Sequence, residues 1–422
     1  MIRRTLVLAA AATGLALGVA ASALGAQQYP VNFTTFDLSK GAPAGVTYAK
    51  GALTLAGTGL VSTPYTDPYA NVNGDGVDGS GAYVSGSWTS PDVALSFGFD
   101  TLVSSWNATT PTGTWVQSEV QPRLDDGHWG KWYVLGRWTS GDGDFHRTSV
   151  GGQGDADGYV AIDTWLAKDH PAVAYRLRLT LFRRATTTAT PSVTRYSAVS
   201  SSYVNQKMTF PSATTMTGTA IDLNVPKYSQ EIHHGEYPQY DNGGEAWCSP
   251  TSTAMVVAYW AKKFPSRGYQ PTANETAWVN PAYADPVVDY TARAVYDYHY
   301  NGAGNWPFNT AYAASRGLVA DVRQLRSLAE AEPYIKAGIP LVASINFTSN
   351  KLPGADIKST DGHLVVIVGF SGDGSQVYVN DPASPDDASV EHTYGREAFE
   401  RAWVDGSGGI VYVDRPVGWP TP

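Results

Sequence analysis

The segment Trp247-Cys248-Ser249-Pro250-Thr251-Ser252 sets the only cysteine of the chain at the threshold of a helix. Pro250 to Lys263 reads as that helix. Ala254, Met255, Ala258 and Tyr259 share one face, Lys262 and Lys263 fill the last turn, and Pro265 is the stop. Proline is tolerated in a first turn because its missing N–H has no intrahelical partner there. A thiol at that end feels the positive pole of the helix dipole, which favours thiolate over thiol. A purely structural cysteine has no need of such a place. Being alone, Cys248 forms no intramolecular disulfide, so it is either sealed in a core or kept for its chemistry.

A thiolate nucleophile needs a base, and His363 is the best placed of the histidines. It opens the apolar run Leu364 to Phe370, followed by the turn Ser371-Gly372-Asp373-Gly374 and a strand ending in Asn380-Asp381-Pro382. A hairpin centred on residue 372 puts His363 nearly opposite Asp381, within reach of a carboxylate–imidazole hydrogen bond. A slip of one residue would send the two side chains to opposite faces. Upstream, Asn224-Val225-Pro226-Lys227-Tyr228-Ser229-Gln230 is an extended segment ending in a carboxamide. Its N–H, with the backbone N–H of Cys248, can hold a developing oxyanion.

The order Gln230, Cys248, His363, Asp381 resembles that of papain-like cysteine peptidases. The segments Val225 to Gln230, Trp247 to Ser252, Gly362-His363-Leu364-Val365 and Asn380-Asp381-Pro382 resemble the bacteriocin-processing (double-glycine leader) peptidases and their stand-alone secreted relatives. The resemblance spans roughly residues 221 to 415. It implies an α+β papain-like fold acting on a peptide or protein substrate without a cofactor. Gln230 would be the oxyanion donor, Cys248 the nucleophile, His363 the base and Asp381 the group that orients it. Two departures stand out. Ser249 occupies a position where glycine is common, and the Gln230-to-Cys248 loop carries an insertion with His233, His234 and several tyrosines.

Before residue 200 the pattern changes to strands. Ala174 to Phe182 alternates, with Leu177, Leu179 and Leu181 on one side and Arg176, Arg178 and Thr180 on the other. Trp115 to Val120, Lys131 to Trp138 and Tyr159 to Trp165 are similar runs separated by Gly/Asp turns. An all-β, jelly-roll-like sandwich is expected over residues 28–200. A Ser/Thr-rich linker follows over 201–218 and the papain-like domain over 219–418, with helices over Asp285 to Tyr298, Thr310 to Arg316 and Leu325 to Ala337 and strands from Leu341 onward. With no run of core apolar residues in the linker, a fragment beginning near residue 219 is expected to fold alone. Residues 1–26 pair Arg3 and Arg4 with the apolar stretch Leu6 to Ala21 and small residues at Ala21-Ser22-Ala23 and Leu24-Gly25-Ala26. They read as a secretory signal peptide, so the chain is expected to be extracellular, with no membrane span once that segment is removed.

A net charge of -9 argues against a nucleic-acid partner, which needs a basic face. Other motifs carry less. His233 and His234 are adjacent and point opposite ways on an extended chain, so they are expected on a solvated rim, and no metal site is assigned. Asn71-Val72-Asn73-Gly74-Asp75-Gly76 resembles the start of a calcium loop, but Ala82 stands where the bidentate glutamate belongs. Trp106, Trp129, Trp132 and Trp138 are expected mostly in the core, with a cell-surface glycan as the β region's candidate ligand. Two alternatives to the peptidase are a peptidoglycan amide hydrolase and a non-catalytic surface or glycan-binding protein with a vestigial site.

Overall fold

The computed structural model describes residues 29–202 and 209–422. The segment expected to be a signal peptide and part of the expected linker therefore lie outside the described residues. Up to residue 201 the described chain is all-β, in two seven-stranded antiparallel sheets. The long strands Thr101–Thr109 and Ser192–Ser201 lie inside one sheet, and Thr114–Leu124 and Ala172–Arg184 inside the other. The two meet through aromatic and small polar side chains. The Tyr196 hydroxyl lies 2.6 Å from Ser118 Oγ, which is itself 2.7 Å from Ser104 Oγ. Leu177, Leu179 and Leu181 are fully buried, as their alternation requires.

After residue 220 the chain is mixed α/β. Helix α1 covers Cys248–Lys263 and is buried from Ser249 to Trp260. It begins two residues earlier than the proline signal indicates, so Cys248 itself is its first residue. Helices α2 (Pro286–Val295), α3 (Trp306–Ser315) and α4 (Leu328–Lys336) follow. The start of α3 precedes the expected Thr310 because Asn305 caps it, accepting a hydrogen bond from Phe308 N. A third seven-stranded sheet packs on these helices, in the order Leu318–Gln324, Ile410–Pro416, Leu341–Phe347, Thr360–Phe370, Gln376–Asn380, Glu391–Gly395, with Ile221–Asp222 added against Thr360–Phe370. The strands Leu318–Gln324 and Glu391–Gly395 lie outside the strands expected from sequence. No helix among the described residues is long and apolar enough to cross a membrane.

The two regions are joined by buried contacts. Phe308 on α3 is fully buried, with its ring centroid 6.2 Å from that of Trp106 and 5.3 Å from that of Trp138. Gly136 permits this approach, since a Cβ there would sit 3.1 Å from the Phe308 ring. Asp321 is buried and accepts from Arg195 Nε and Ser197 Oγ, both at 2.7 Å. Asn107 Nδ2 donates to the Ala320 carbonyl at 2.7 Å, and Asp297 Oδ1 accepts from Ser149 N at 2.9 Å. Nor is the described part of the expected linker a free tether. Thr214 and Thr215 bond to Glu332, and Arg396 Nε donates to the Ser212 carbonyl.

Candidate active site

Helix α1 is seated on the third sheet by two hydroxyls. Ser252 Oγ donates to the Leu364 carbonyl at 3.0 Å, and Ser249 Oγ lies 2.9 Å from the Tyr412 hydroxyl. Ser249, a departure from the resembled pattern, is thus a buried tie between helix and sheet. Its neighbour Cys248 is half-buried at the end of a cleft of about 780 Å³, which His363 and Gln230 also line.

His363 Nε2 and Asp381 Oδ1 are 2.7 Å apart and both residues are buried. The pairing that brings them together differs from a simple hairpin. Near the turn, Phe370 faces Val377 and Gly369 faces Tyr378; beyond a bulge at Val368, Ile367 faces Val379 and Val366 faces Asn380. Extended by one step, that register puts Asp381 opposite Val365, one diagonal away from His363. Side chains two apart on a strand share a face, so the carboxylate still reaches the ring. Without the bulge, Asp381 would fall opposite Val366 and point away. Gly369 is required at this kink, because a Cβ there would meet the Ile221 carbonyl oxygen at 2.1 Å.

Asp381 is held from three sides. Oδ1 also accepts from Ala383 N at 3.0 Å, and Oδ2 accepts from the Tyr394 hydroxyl at 3.2 Å. Burial opposes its charge, but the His363 cation, its hydrogen bond and the Ala383 N–H hold the carboxyl below its ordinary range. On His363 burial again opposes charge; Asp381 and the contact with Cys248 outweigh it and push the imidazole up to about 10. The ring therefore keeps its proton through neutral pH. This charged pair stabilises the fold fully below the ordinary histidine value of about 6.5, and the contribution is lost as pH rises to about 10. The melting temperature of the wild type is expected to fall across that window more steeply than that of Asp381→Asn. Parallel curves would show that the pair is not charged. Tyr394 and the Ala383 amide were not singled out from sequence, and no motif marks them.

Gln230 reaches the same cleft by a different route. Its backbone N–H donates to the Pro382 carbonyl at 2.8 Å, so the segment that carries it is tied to the loop after Asp381. Asn380 Nδ2 reinforces this, donating to the Pro226 carbonyl at 3.2 Å. The Gln230 amide donates to the Glu245 carbonyl at 2.8 Å and to Glu231 Oε1 at 3.0 Å, while its own Oε1 is buried without a partner. The cleft thus has all four sequence-predicted residues near it, with the Gln230 donors engaged by Glu245 and Glu231.

One wall of the cleft comes from the β region. The hairpin Gly158–Ala161/Thr164–Ala167 places Ile162 and Asp163 at its tip, and both line the cleft. Ile162 has φ 59°, a conformation rare for a β-branched side chain, and is 37% exposed. Asp163 fixes the tip by accepting from Trp306 N, at the start of α3, at 2.7 Å. The lining also carries Glu231, Asp241, Glu245 and Asp361, with no lysine or arginine.

The residues set aside from sequence fall into place individually. His234 is exposed, but His233 is fully buried, which corrects the expectation of a solvated rim for both. The segment is not extended: His233 ends a 3₁₀ turn, Glu231–His233, and is buried there. In the calcium-like segment Asp75 pairs with His146 Nε2 at 3.0 Å, and Asp67 lies on the other ring nitrogen. Trp106 and Trp138 are core residues, whereas Trp129 and Trp132 have their faces covered by Arg176 and Arg178.

Residues 222–409 match the Peptidase C39 like family, and residues 31–201 match the Peptidase C39 N-terminal domain. Both halves belong to the peptidase C39 family. The chain is accordingly a hydrolase, a papain-like cysteine peptidase. Similar solved structures include a Bacillus anthracis chain described as a C39-like peptidase, at 19% identity, covering 46% of this chain and 97% of that one with a TM-score of 0.29. Xylellain, a cysteine protease from Xylella fastidiosa, is 10% identical, with 48% of this C39 peptidase and 87% of that chain covered and a TM-score of 0.27. No curated protein matches the chain.

Proposed function

We propose that the protein is an exported peptidase in which Cys248 is the nucleophile, His363 its acid–base partner, Asp381 the orienting carboxylate and Gln230 the oxyanion donor. The observation that carries this reading is the buried His363–Asp381 pair facing a half-buried cysteine at a helix start, in an open cleft. The Cys248 sulfur attacks the amide carbonyl, and the electron pair of the C=O bond moves onto oxygen. The backbone N–H of Cys248 and the Gln230 amide stabilise that charge once Gln230 exchanges Glu231 for the substrate oxygen. When the tetrahedral adduct collapses, His363 gives its proton to the leaving amine. It then takes a proton from the water that attacks the thioester, and Cys248 is released.

The proposed substrate is a peptide or protein with basic side chains near the scissile bond, because Glu231, Glu245 and Asp361 reach solvent along the cleft and its lining holds no lysine or arginine. Residues 1–26 act in this proposal as a signal peptide, and 28–200 as a jelly-roll-like sandwich joined by 201–218 to the peptidase domain, 219–418. Glycan binding by the β region is the lesser proposal, since Arg176 and Arg178 already cover Trp129 and Trp132.

A single comparison tests the roles. Peptide libraries incubated with wild type, with protein alkylated at Cys248 and with Gln230→Ala are expected to show three patterns. Wild type cleaves, with a preference for Lys or Arg near the cut. Alkylation ends turnover. Gln230→Ala lowers kcat by roughly 10²–10³ while iodoacetamide still labels the thiol at the wild-type rate. Equal losses of labelling and hydrolysis would recast Gln230 as a support for the Cys248 loop.

A further inference from the structure

Between Gln230 and Cys248 the chain folds back on itself beside α2. Two glycines in the left-handed region allow it. A Cβ at Gly243 (φ 71°) would meet the Glu236 carbonyl oxygen at 2.2 Å, and one at Gly244 (φ 61°) would meet the His233 backbone at 2.5 Å. The fold gathers His233, Glu236 and, from α2, Asp289, with one ligand atom of each within 4.8 Å of the others. His233 Nδ1 is 2.7 Å from Glu236 Oε2 and 3.5 Å from Asp289 Oδ2. All three residues are buried, neither oxygen of Asp289 receives a hydrogen bond, and His233 Nε2 has no partner.

The surroundings carry charge of one sign. Asp387 acts on His233 and Asp285 acts on Asp289. Among the described residues no lysine or arginine forms an ion pair with Glu236, Asp285, Asp289 or Asp387. A buried carboxylate with neither donor nor counter-charge is strongly unfavourable, and only a proton or a bound cation relieves it.

We infer that His233, Glu236 and Asp289 form a binding site for a divalent first-row cation of the zinc class. One imidazole nitrogen with two carboxylates suits a borderline ion, whereas calcium and magnesium call for oxygen ligands throughout. Four ligands about 2.1 Å from a tetrahedral ion lie about 3.4 Å apart, and the separations here bracket that edge. The ion would fasten the segment carrying Gln230 and Cys248 to α2, a structural role that does not depend on the chemistry proposed for Cys248. The competing occupant is a proton shared by the two acids.

The test uses the full chain, alkylated at Cys248 so that the thiol cannot bind metal, stripped with chelator and titrated with Zn²⁺. One equivalent is expected to bind per chain and to raise the melting temperature by roughly 3 °C at a hundredfold excess over Kd. Asp289→Asn is expected to weaken binding by about 100-fold or more. Glu236→Gln serves as a second variant should Asp289→Asn fold poorly. His234→Ala, one residue away and exposed, is expected to bind Zn²⁺ as the wild type does. Failure to take up equimolar Zn²⁺ overturns the site in favour of the shared proton. Binding that survives both ligand substitutions, or that is lost with His234→Ala, overturns it in favour of a surface site.

Discussion

His363→Ala is expected to reduce kcat/KM for peptide hydrolysis by about 10⁴–10⁶-fold, the range seen when the base of a nucleophile–base pair is removed. In the proposed cycle the ring gives and receives every proton, and no other histidine lines the cleft. Asp381→Asn should cost less, at most about 10⁴-fold, because the carboxylate transfers no proton. An asparagine can turn its oxygen toward His363 Nε2 and its amide toward the Tyr394 hydroxyl, which now donates to Asp381 at 3.2 Å. Removing His363 also leaves Asp381 buried without its counter-charge, so rates must be normalised to folded protein. An alanine variant retaining a tenth of wild-type turnover, or two equal losses, would separate His363 from the chemistry.

Removing the β region is expected to abolish both solubility and activity, contrary to what the linker composition alone suggests. A chain of residues 209–422 exposes Phe308, which now packs on Trp106 and Trp138. It also strips Asp321 of Arg195 and Ser197, and Asp297 of the Ser149 amide. Water can take up the polar groups freed in this way, so the loss is chiefly apolar, about 1.5–3 kcal/mol for each large core side chain laid open. A few such side chains are a large fraction of the stability of an ordinary domain, about 5–15 kcal/mol. The measurement is soluble yield and kcat/KM of the fragment beside the full chain. A soluble fragment that cleaves small peptides at the wild-type rate would show that the interface and the Ile162 wall are dispensable.

What could be read from sequence is what repeats or alternates locally. The helix after Cys248 and the strand with Leu177, Leu179 and Leu181 announce themselves by period, and the chain order of Gln230, Cys248, His363 and Asp381 follows a known family. What could not be read depends on partners far along the chain. The bulge at Val368 is invisible without the neighbouring strand, and the midpoint construction that set His363 opposite Asp381 was two residues off. The correct face was reached because two is even. His233 looked solvent-facing because nothing near it in sequence buries it; Asp289, on a helix that follows α1, does so with Trp247. The unity of the two regions was hidden for the same reason, since Asn107 and Ala320 are 213 residues apart.

The Ile162 hairpin bears on when during synthesis the protein becomes active. The half that leaves the ribosome first holds a wall of the cleft and no nucleophile. The half that follows holds Cys248, but the His363–Asp381 pair is complete only when Asp381 has emerged, and the sheet only when Ile410–Pro416 has been made. A chain broken off before that strand lacks the part of the sheet that seats α1 through Tyr412, so wall, thiol and pair meet in one cleft only when both halves are made.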